Sequence, residues 1–331
     1  MTSLFTAALA TLDSVPVAIT RLALLFFGFK TAQTLYSVAS FFAIYLRPSQ
    51  VHRYVYNDTQ GRPPWALVTG ASDGVGVVLA DELATVGLNV VLHGRNTTKL
   101  EGVRRDLEKK HPQRQFRLFV VDASQTPGQD LDGLVTTTLG DLHMTVLINN
   151  AGGGLRAPTY GALSETSTAR IVENVTLNGL FPLVLTARIL PLFNGPSLVM
   201  NVGSLADIGM PFVTPYAASK VFMLAATSMM RRELAALGRS STQMLAVRFG
   251  VVTGVSHTKT PPRWNEPDTT TMAQAALART GSGSRDIVIA YLPQALQNAV
   301  LGWLSASSTD RLFQKIMMER RIKEIEEMKK A

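Results

Sequence analysis

At 331 residues, with 46% apolar and 17% charged side chains, the chain can bury a sizeable core in one large domain or two modest ones, and its ordinary Gly and Pro usage excludes wholesale disorder. It contains no cysteine, which excludes disulfides, thiolate metal sites and cysteine nucleophiles. The formal net charge of +8 suits nucleic acid, an anionic membrane surface or an anionic cofactor; lacking a dense Lys/Arg stripe with interleaved aromatics, the chain is expected to have no nucleic-acid partner.

Residues 1–21 read as an N-terminal tail, with no Lys or Arg before position 21. From Leu22 to Leu46 a single charge, Lys30, interrupts an apolar stretch. About 20 such residues suffice to cross a bilayer as a helix. A hairpin or an interfacial helix with Lys30 and Gln33 facing water is the other arrangement. A signal peptide fits worse, because the stretch is too long and no cleavage pattern of small residues follows. A buried soluble helix is the plainest alternative, but the stretch precedes a domain that is complete without it. Arg47, Arg53 and Arg62 follow, so a spanning helix places the rest of the chain in the cytosol. Residues 47–64, with Pro48, Gly61, Pro63 and Pro64, read as a short polar linker.

The apolar run Trp65–Val68 predicts a buried strand, and Val75–Val86 has helical periodicity. Between them lie Gly70, Gly74 and Gly76. A backbone that turns sharply, approaches a pyrophosphate and packs a helix tightly on a strand needs glycine at such positions, and the helix start favours the anion. The second strand, Asn89–His93, ends in Gly94-Arg95. An acid near this place would bind a ribose 2′-hydroxyl; Arg95 instead suits a 2′-phosphate and favours NADP(H), with a solvated surface arginine as the alternative. Ser72 is a second candidate phosphate contact. Asp122, closing the strand Arg117–Val121, is placed to receive an adenine amino group or is simply a loop acid. Strand four, Val146–Ile148, runs into Asn149-Asn150-Ala151-Gly152. Strand and helix alternate throughout, which predicts an α/β fold with a doubly wound parallel sheet.

Of seven tyrosines only Tyr216 has a lysine four residues later, Lys220, in an amphipathic helical stretch. That spacing puts both side chains on one face. Ketone reduction needs a proton donor for the oxygen, and a neighbouring ammonium is expected to lower a phenol's pKa from near 10. A surface Tyr–Lys contact is the commoner meaning of such a pair taken alone. Ser204, twelve residues before Tyr216 and just after the strand Ser197–Val202, could hold a carbonyl and its developing oxyanion. Each candidate falls at the carboxyl end of a predicted strand, where such folds bind ligands.

TGASDGVG, NNAG and YAASK together resemble the short-chain dehydrogenase/reductase family, over roughly residues 65–256. The resemblance implies a single Rossmann-like catalytic domain at 65–255. It also implies NADP(H) bound by Gly70, Ser72, Asp73, Gly74, Val75 and Gly76, by Arg95 and Asp122, and by Asn150, Ala151 and Gly152. In the family the Tyr donates the proton, the Lys also binds the nicotinamide ribose, the Ser orients the carbonyl and an Asn positions a water. Ser204, Tyr216 and Lys220 match directly. The Asn is assigned to Asn178, thirteen residues before Pro191, while an alignment on Gly179 and Phe181 puts Thr176 there. The usual PGxVxT segment is here Phe249-Gly250-Val251-Val252-Thr253, and Thr253 could reach the nicotinamide carboxamide.

The apolar leader, Trp65 and TGASDGVG further resemble the endoplasmic-reticulum group of very-long-chain 3-oxoacyl-CoA reductases and 17β-hydroxysteroid dehydrogenases. That implies NADPH-driven reduction of a lipophilic ketone at a membrane, and dimers formed through the helices bearing Asn178 and Tyr216. A catalytically silent nucleotide-binding scaffold on a membrane is the alternative, against which the intact Ser–Tyr–Lys set speaks. Residues 256–331 are expected to supply a mobile substrate lid over 255–285, a short apolar helix Leu296–Leu304, and a C-terminal helical extension Arg311–Lys330 that lies on a membrane, on a partner or free as a salt-bridged tail. Five scattered histidines show no metal-ligand spacing.

Overall fold

The computed structural model describes residues 17–154, 158–255, 260–281 and 285–330. Most of the expected N-terminal tail, and parts of the 255–285 segment, lie outside them. The chain divides into two units, Met1–Arg47 and Pro48–Ala331.

The described part of the first unit is one helix, α1 (Val17–Leu46). It covers Val17–Arg21 as well as the apolar run and so includes Arg21. Its Ile19–Leu46 stretch, with mean hydropathy 1.2 and no part of its apolar window buried, is a candidate membrane span.

The second unit is a seven-stranded parallel sheet with strand order β3-β2-β1-β4-β5-β6-β7. The strands are β1 (Pro64–Thr69), β2 (Asn89–Gly94), β3 (Phe116–Val120), β4 (His143–Asn149), β5 (Ser197–Ser204), β6 (Thr242–Phe249) and β7 (Ile287–Ile289). Every residue of β1, β2 and β4 is buried, because helices cover both faces. The edge strand β3 is only partly buried. The covering helices are α2 (Gly74–Val86), α3 (Thr97–Lys110), α4 (Leu131–Leu139), α5 (Thr168–Val175), α6 (Phe181–Ile189), α7 (Thr214–Ala236), α8 (Thr269–Leu277), α9 (Leu292–Leu301) and α10 (Ala306–Lys330). One core cluster joins Trp65, Phe119, Leu147, Phe181, Leu185 and Val199. Strand order reverses between β1 and β4, so their carboxyl ends open a crevice at the switch point.

Two segments differ from the sequence reading. Residues 48–56 are docked rather than free: Val51 and Tyr54 are buried, the Tyr54 hydroxyl donates to Gln243 Oε1 at 2.6 Å, and the Tyr56 hydroxyl donates to the Asn194 and Pro196 carbonyls. These partners sit at the amino ends of β5 and β6. Within the expected lid, α8 is a core helix packed on α2, with Met272, Ala273, Ala276 and Leu277 buried. Its polar composition conceals it. Asp268 caps its first turn by accepting from Thr271 N at 2.7 Å, and its three threonines lead into an apolar face.

Candidate active site

The turn after β1 is built around close backbone approach. Gly70 and Gly74 have φ of +69° and +59°, in the left-handed region that favours glycine. A Cβ on Gly76 would stand 2.1 Å from the Gly70 carbonyl oxygen, and one on Gly70 would stand 2.9 Å from Ala151 Cα. Thr69 ties this turn to β4: its hydroxyl oxygen accepts from Asn150 N and Ala151 N, both at 2.9 Å, while Asn150 Nδ2 donates to the Thr69 carbonyl. Asp73 caps α2 by accepting from Gly74 N at 2.7 Å, and Val75 is buried in the first turn. The result is a shallow backbone cradle at a helix start, which fits a pyrophosphate.

Ser72 and Arg95 lie beside this cradle. A Cβ on Gly94 would touch Ser72 Oγ at 3.3 Å, and Arg95, the next residue, is exposed. Under the turn lies His93, which the sequence reading passed over as a strand end. It is buried, its Nδ1 accepts from Gly70 N at 3.3 Å, and its ring stacks on Phe181 at 5.0 Å. Burial pushes its pKa down to about 4, so the ring is neutral and free to accept. Asp122 turns its carboxylate onto its own loop, accepting from Ser124 N at 3.0 Å and Ser124 Oγ at 2.7 Å.

A cleft of about 470 Å³ opens along the carboxyl ends of β4, β5 and β6 and brings together Asn150, Gly152, Ser204, Tyr216 and Lys220. Pro215 in the first turn of α7 starts the helix that carries Tyr216 and Lys220. The Lys220 amine donates to the Val202 carbonyl at 2.8 Å and lies 5.7 Å from the centre of the Tyr216 ring. Burial brings the ammonium down to about 8. Burial also raises the Tyr216 phenol; the neighbouring Ser204 hydroxyl pulls it partly back, and the Asp207 carboxylate pushes it up again. The expected net lowering by the lysine is therefore not what this site shows: burial dominates, and the opposing pull comes from Ser204. Asp207 is held by Arg248, whose Nε donates to it at 2.7 Å.

A π turn, Thr176–Leu180, joins α5 to α6 and aims carboxamides at the loop after β4. Asn178 Oδ1 accepts from Gly153 N at 3.0 Å, and Asn178 Nδ2 donates to the Gly153 and Asn174 carbonyls at 3.0 and 2.9 Å. A Cβ on Gly152 would lie 2.7 Å from Asn178 Oδ1 and 3.1 Å from Lys220 Nζ, which puts these two groups on one spot. Thr176 is also buried, and its carbonyl accepts from Phe181 N inside the turn. Asn174, which no motif singles out, adds a bond from Nδ2 to the Gly153 carbonyl at 3.1 Å.

Beyond β6, Thr253 turns inward: its N–H and hydroxyl both donate to the Pro267 carbonyl, at 2.9 and 3.4 Å. It lines a second hollow of about 590 Å³ with Asp73 and Val255. The preceding loop is clamped by Gln294 of α9. Gln294 Oε1 accepts from Gly250 N at 2.8 Å, and Gln294 Nε2 donates to the Val251 and Asn265 carbonyls. A lone Gln forty-four residues from its partner leaves no local signal in the sequence. Among the described residues no cluster of His, Asp and Glu could hold a metal.

The sequence pattern of the short chain dehydrogenases matches residues 64–262. The chain is 28% identical to the very-long-chain 3-oxoacyl-CoA reductase of Pyricularia oryzae, over 72% of this chain and 71% of that protein. It is 29% identical to that of Caenorhabditis briggsae, over 75% and 78%. Among solved structures it is similar to a short-chain dehydrogenase from Sphingobium yanoikuyae in complex with NADPH, with TM-score 0.58, 22% identity, 73% of this chain and 97% of that one. It is also similar to a 7β-hydroxysteroid dehydrogenase, with TM-score 0.65, 21% identity, 81% of this chain and 98% of that one. These likenesses show the fold. The pattern match, which covers more than half of the chain, together with the parallel sheet, shows that this oxidoreductase belongs to the short-chain dehydrogenase family.

Proposed function

We propose that the protein reduces a ketone on a lipophilic substrate to a secondary alcohol at the expense of NADPH, with a 3-oxoacyl thioester as the first candidate and a steroid or related metabolite as the second. The observation that carries this reading is the meeting of Ser204, Tyr216 and Lys220 in one cleft at the switch point of the sheet. The substrate class follows from the similar proteins of Pyricularia oryzae and Caenorhabditis briggsae, named very-long-chain 3-oxoacyl-CoA reductases.

The turn at Gly70, Gly74 and Gly76 fits a dinucleotide because only glycine lets its backbone fold this tightly at the start of a helix, and Ser72 with Arg95 fits a 2′-phosphate. When bound, the nicotinamide supplies the hydride. Tyr216 gives its proton to the ketone oxygen. A phenol held above its usual pKa stays loaded with that proton until negative charge develops on the substrate, which suits the reductive direction. Ser204, whose hydroxyl already acts on the phenol's pKa, holds the same oxygen. Lys220 stands beneath the Tyr216 ring and supplies positive charge as the phenolate forms. Asn178 fixes the Gly152–Gly153 backbone next to the amine, and this supports it over Thr176 for the Asn role.

NADPH oxidation with 3-oxoacyl-CoA and a panel of lipophilic ketones in detergent tests the reading. The Tyr216→Phe variant is expected to bind NADPH as before and to lose about a hundredfold or more in kcat. Unchanged turnover by that variant sinks the mechanism.

A further inference from the structure

α10 crosses the mouth of the cleft and is pinned there at two points. Arg321 Nη2 donates to both oxygens of Glu165, at 2.8 and 2.9 Å, and lies over the Phe212 ring. One turn on, Glu324 accepts from Thr159 N at 2.6 Å and Tyr160 N at 2.9 Å. Phe313 and Met317 are buried beneath the helix. Immediately before these pins stands Arg320, which lines the cleft and is exposed to solvent. Among the described residues no carboxylate pairs with it, and both oxygens of Glu324, four residues along, are taken by backbone N–H groups. The other cation on the lining, Lys220, is held inside on the Val202 carbonyl. Glu266 is the one acid on the lining, and its backbone pairs with Arg263.

A pinned helix thus presents an unpaired guanidinium at the entrance of a cleft whose floor holds a neutral phenol. A planar fork of donors matches a phosphate better than it matches a ketone or an alkyl chain. In a 3-oxoacyl thioester the keto carbon is two bonds from the thioester carbonyl, so a carrier must leave the cleft by the mouth it entered. We propose that Arg320 is a specificity-determining residue, forming a subsite for the phosphate-bearing carrier of an acyl thioester while the ketone reaches Tyr216. This rests on the ketone-reductase reading above.

The experiment compares two substrates with the same 3-oxoacyl chain, one on coenzyme A and one on N-acetylcysteamine, which carries no phosphate. The full chain in detergent is assayed with NADPH as the parent, as Arg320→Ala and as Arg320→Lys. Arg320→Ala is expected to raise KM for the coenzyme A thioester roughly tenfold, the size of one charge-assisted hydrogen bond at a wet site, with kcat unchanged. Arg320→Lys is expected to recover part of it, and KM for the N-acetylcysteamine thioester is expected to stay put. An equal rise for both substrates, or no rise for either, overturns the subsite. If the parent turns over neither thioester, the 3-oxoacyl reading fails while reduction of other ketones is tested by the panel above, and calorimetric titration with coenzyme A decides the subsite. Binding about tenfold weaker in Arg320→Ala keeps it; equal binding, or none to the parent, rejects it.

Discussion

Lys220 sits almost wholly buried in the cleft, 5% exposed, and that placement has a measurable energetic signature. In the unfolded chain its ammonium holds a proton up to about 10.5, whereas burial brings it down to about 8 in the fold. Between those values the unfolded chain binds more protons, so stability rises with pH; below about 8 the whole penalty, about 3 kcal/mol, stands. Lys220→Met removes the penalty but orphans the Val202 carbonyl, at about 1 kcal/mol. The variant is therefore expected to melt a few degrees higher than the parent near pH 7, by about as much as 2 kcal/mol moves a domain of this size. That gap should shrink near pH 10, and turnover should vanish throughout. Thermal scans at the two pH values check it, and a lower midpoint for the variant near pH 7 refutes it. Residues of this sort were legible in the sequence, since a turn that admits only glycine and a Tyr–Lys pair one helical turn apart leave local marks. His93 and Gln294 were not, because each acts on a backbone group far away in the chain.

The elements show the same division. β1, β2 and the helix between them follow from their apolar runs and the glycines, and the structure shifts their ends by a residue at most. α8 was hidden, since its helicity depends on packing against α2 more than on its threonine-rich sequence. Another feature invisible in the chain is the link between β6 and the turn after β5, where Arg248 grips Asp207 and the paired side chains are 17% and 4% exposed. Arg248→Met strands that carboxylate near Tyr216, and the expected loss is about 3 kcal/mol of stability. The phenol should also climb further, because Asp207 already pushes it up. Adding Asp207→Asn to Arg248→Met is expected to restore most of the loss. A double-mutant cycle in urea gives the answer, and additive effects of the two changes would show that the pair is not coupled.

At the scale of the whole molecule, we propose that α1 anchors the protein in a membrane, of the endoplasmic reticulum by resemblance, with the catalytic unit in the cytosol. What supports this is a candidate span of 28 residues with an exposed apolar surface, followed by Arg47, Arg53 and Arg62. Arg21, within the helix, is set near its other end. The chain is expected to stay with the membrane pellet after alkaline carbonate extraction, and a chain beginning at Pro48 to be released. Release of the full chain would dismiss the anchor. Thr168–Leu192 is also long and apolar enough, with mean hydropathy 1.5, but Phe181, Leu185 and Ile189 within it are core residues of the catalytic unit.

Residues 48–56 dock on one end of the catalytic unit's sheet. The polypeptide enters at the amino edge of the sheet, where Tyr54 and Tyr56 meet Gln243, Asn194 and Pro196, while Ser204 closes the opposite edge. The eight residues of β5 separate those edges by about 26 Å. Loosening or tightening of residues 48–56 is therefore felt at the end of the sheet remote from the chemistry.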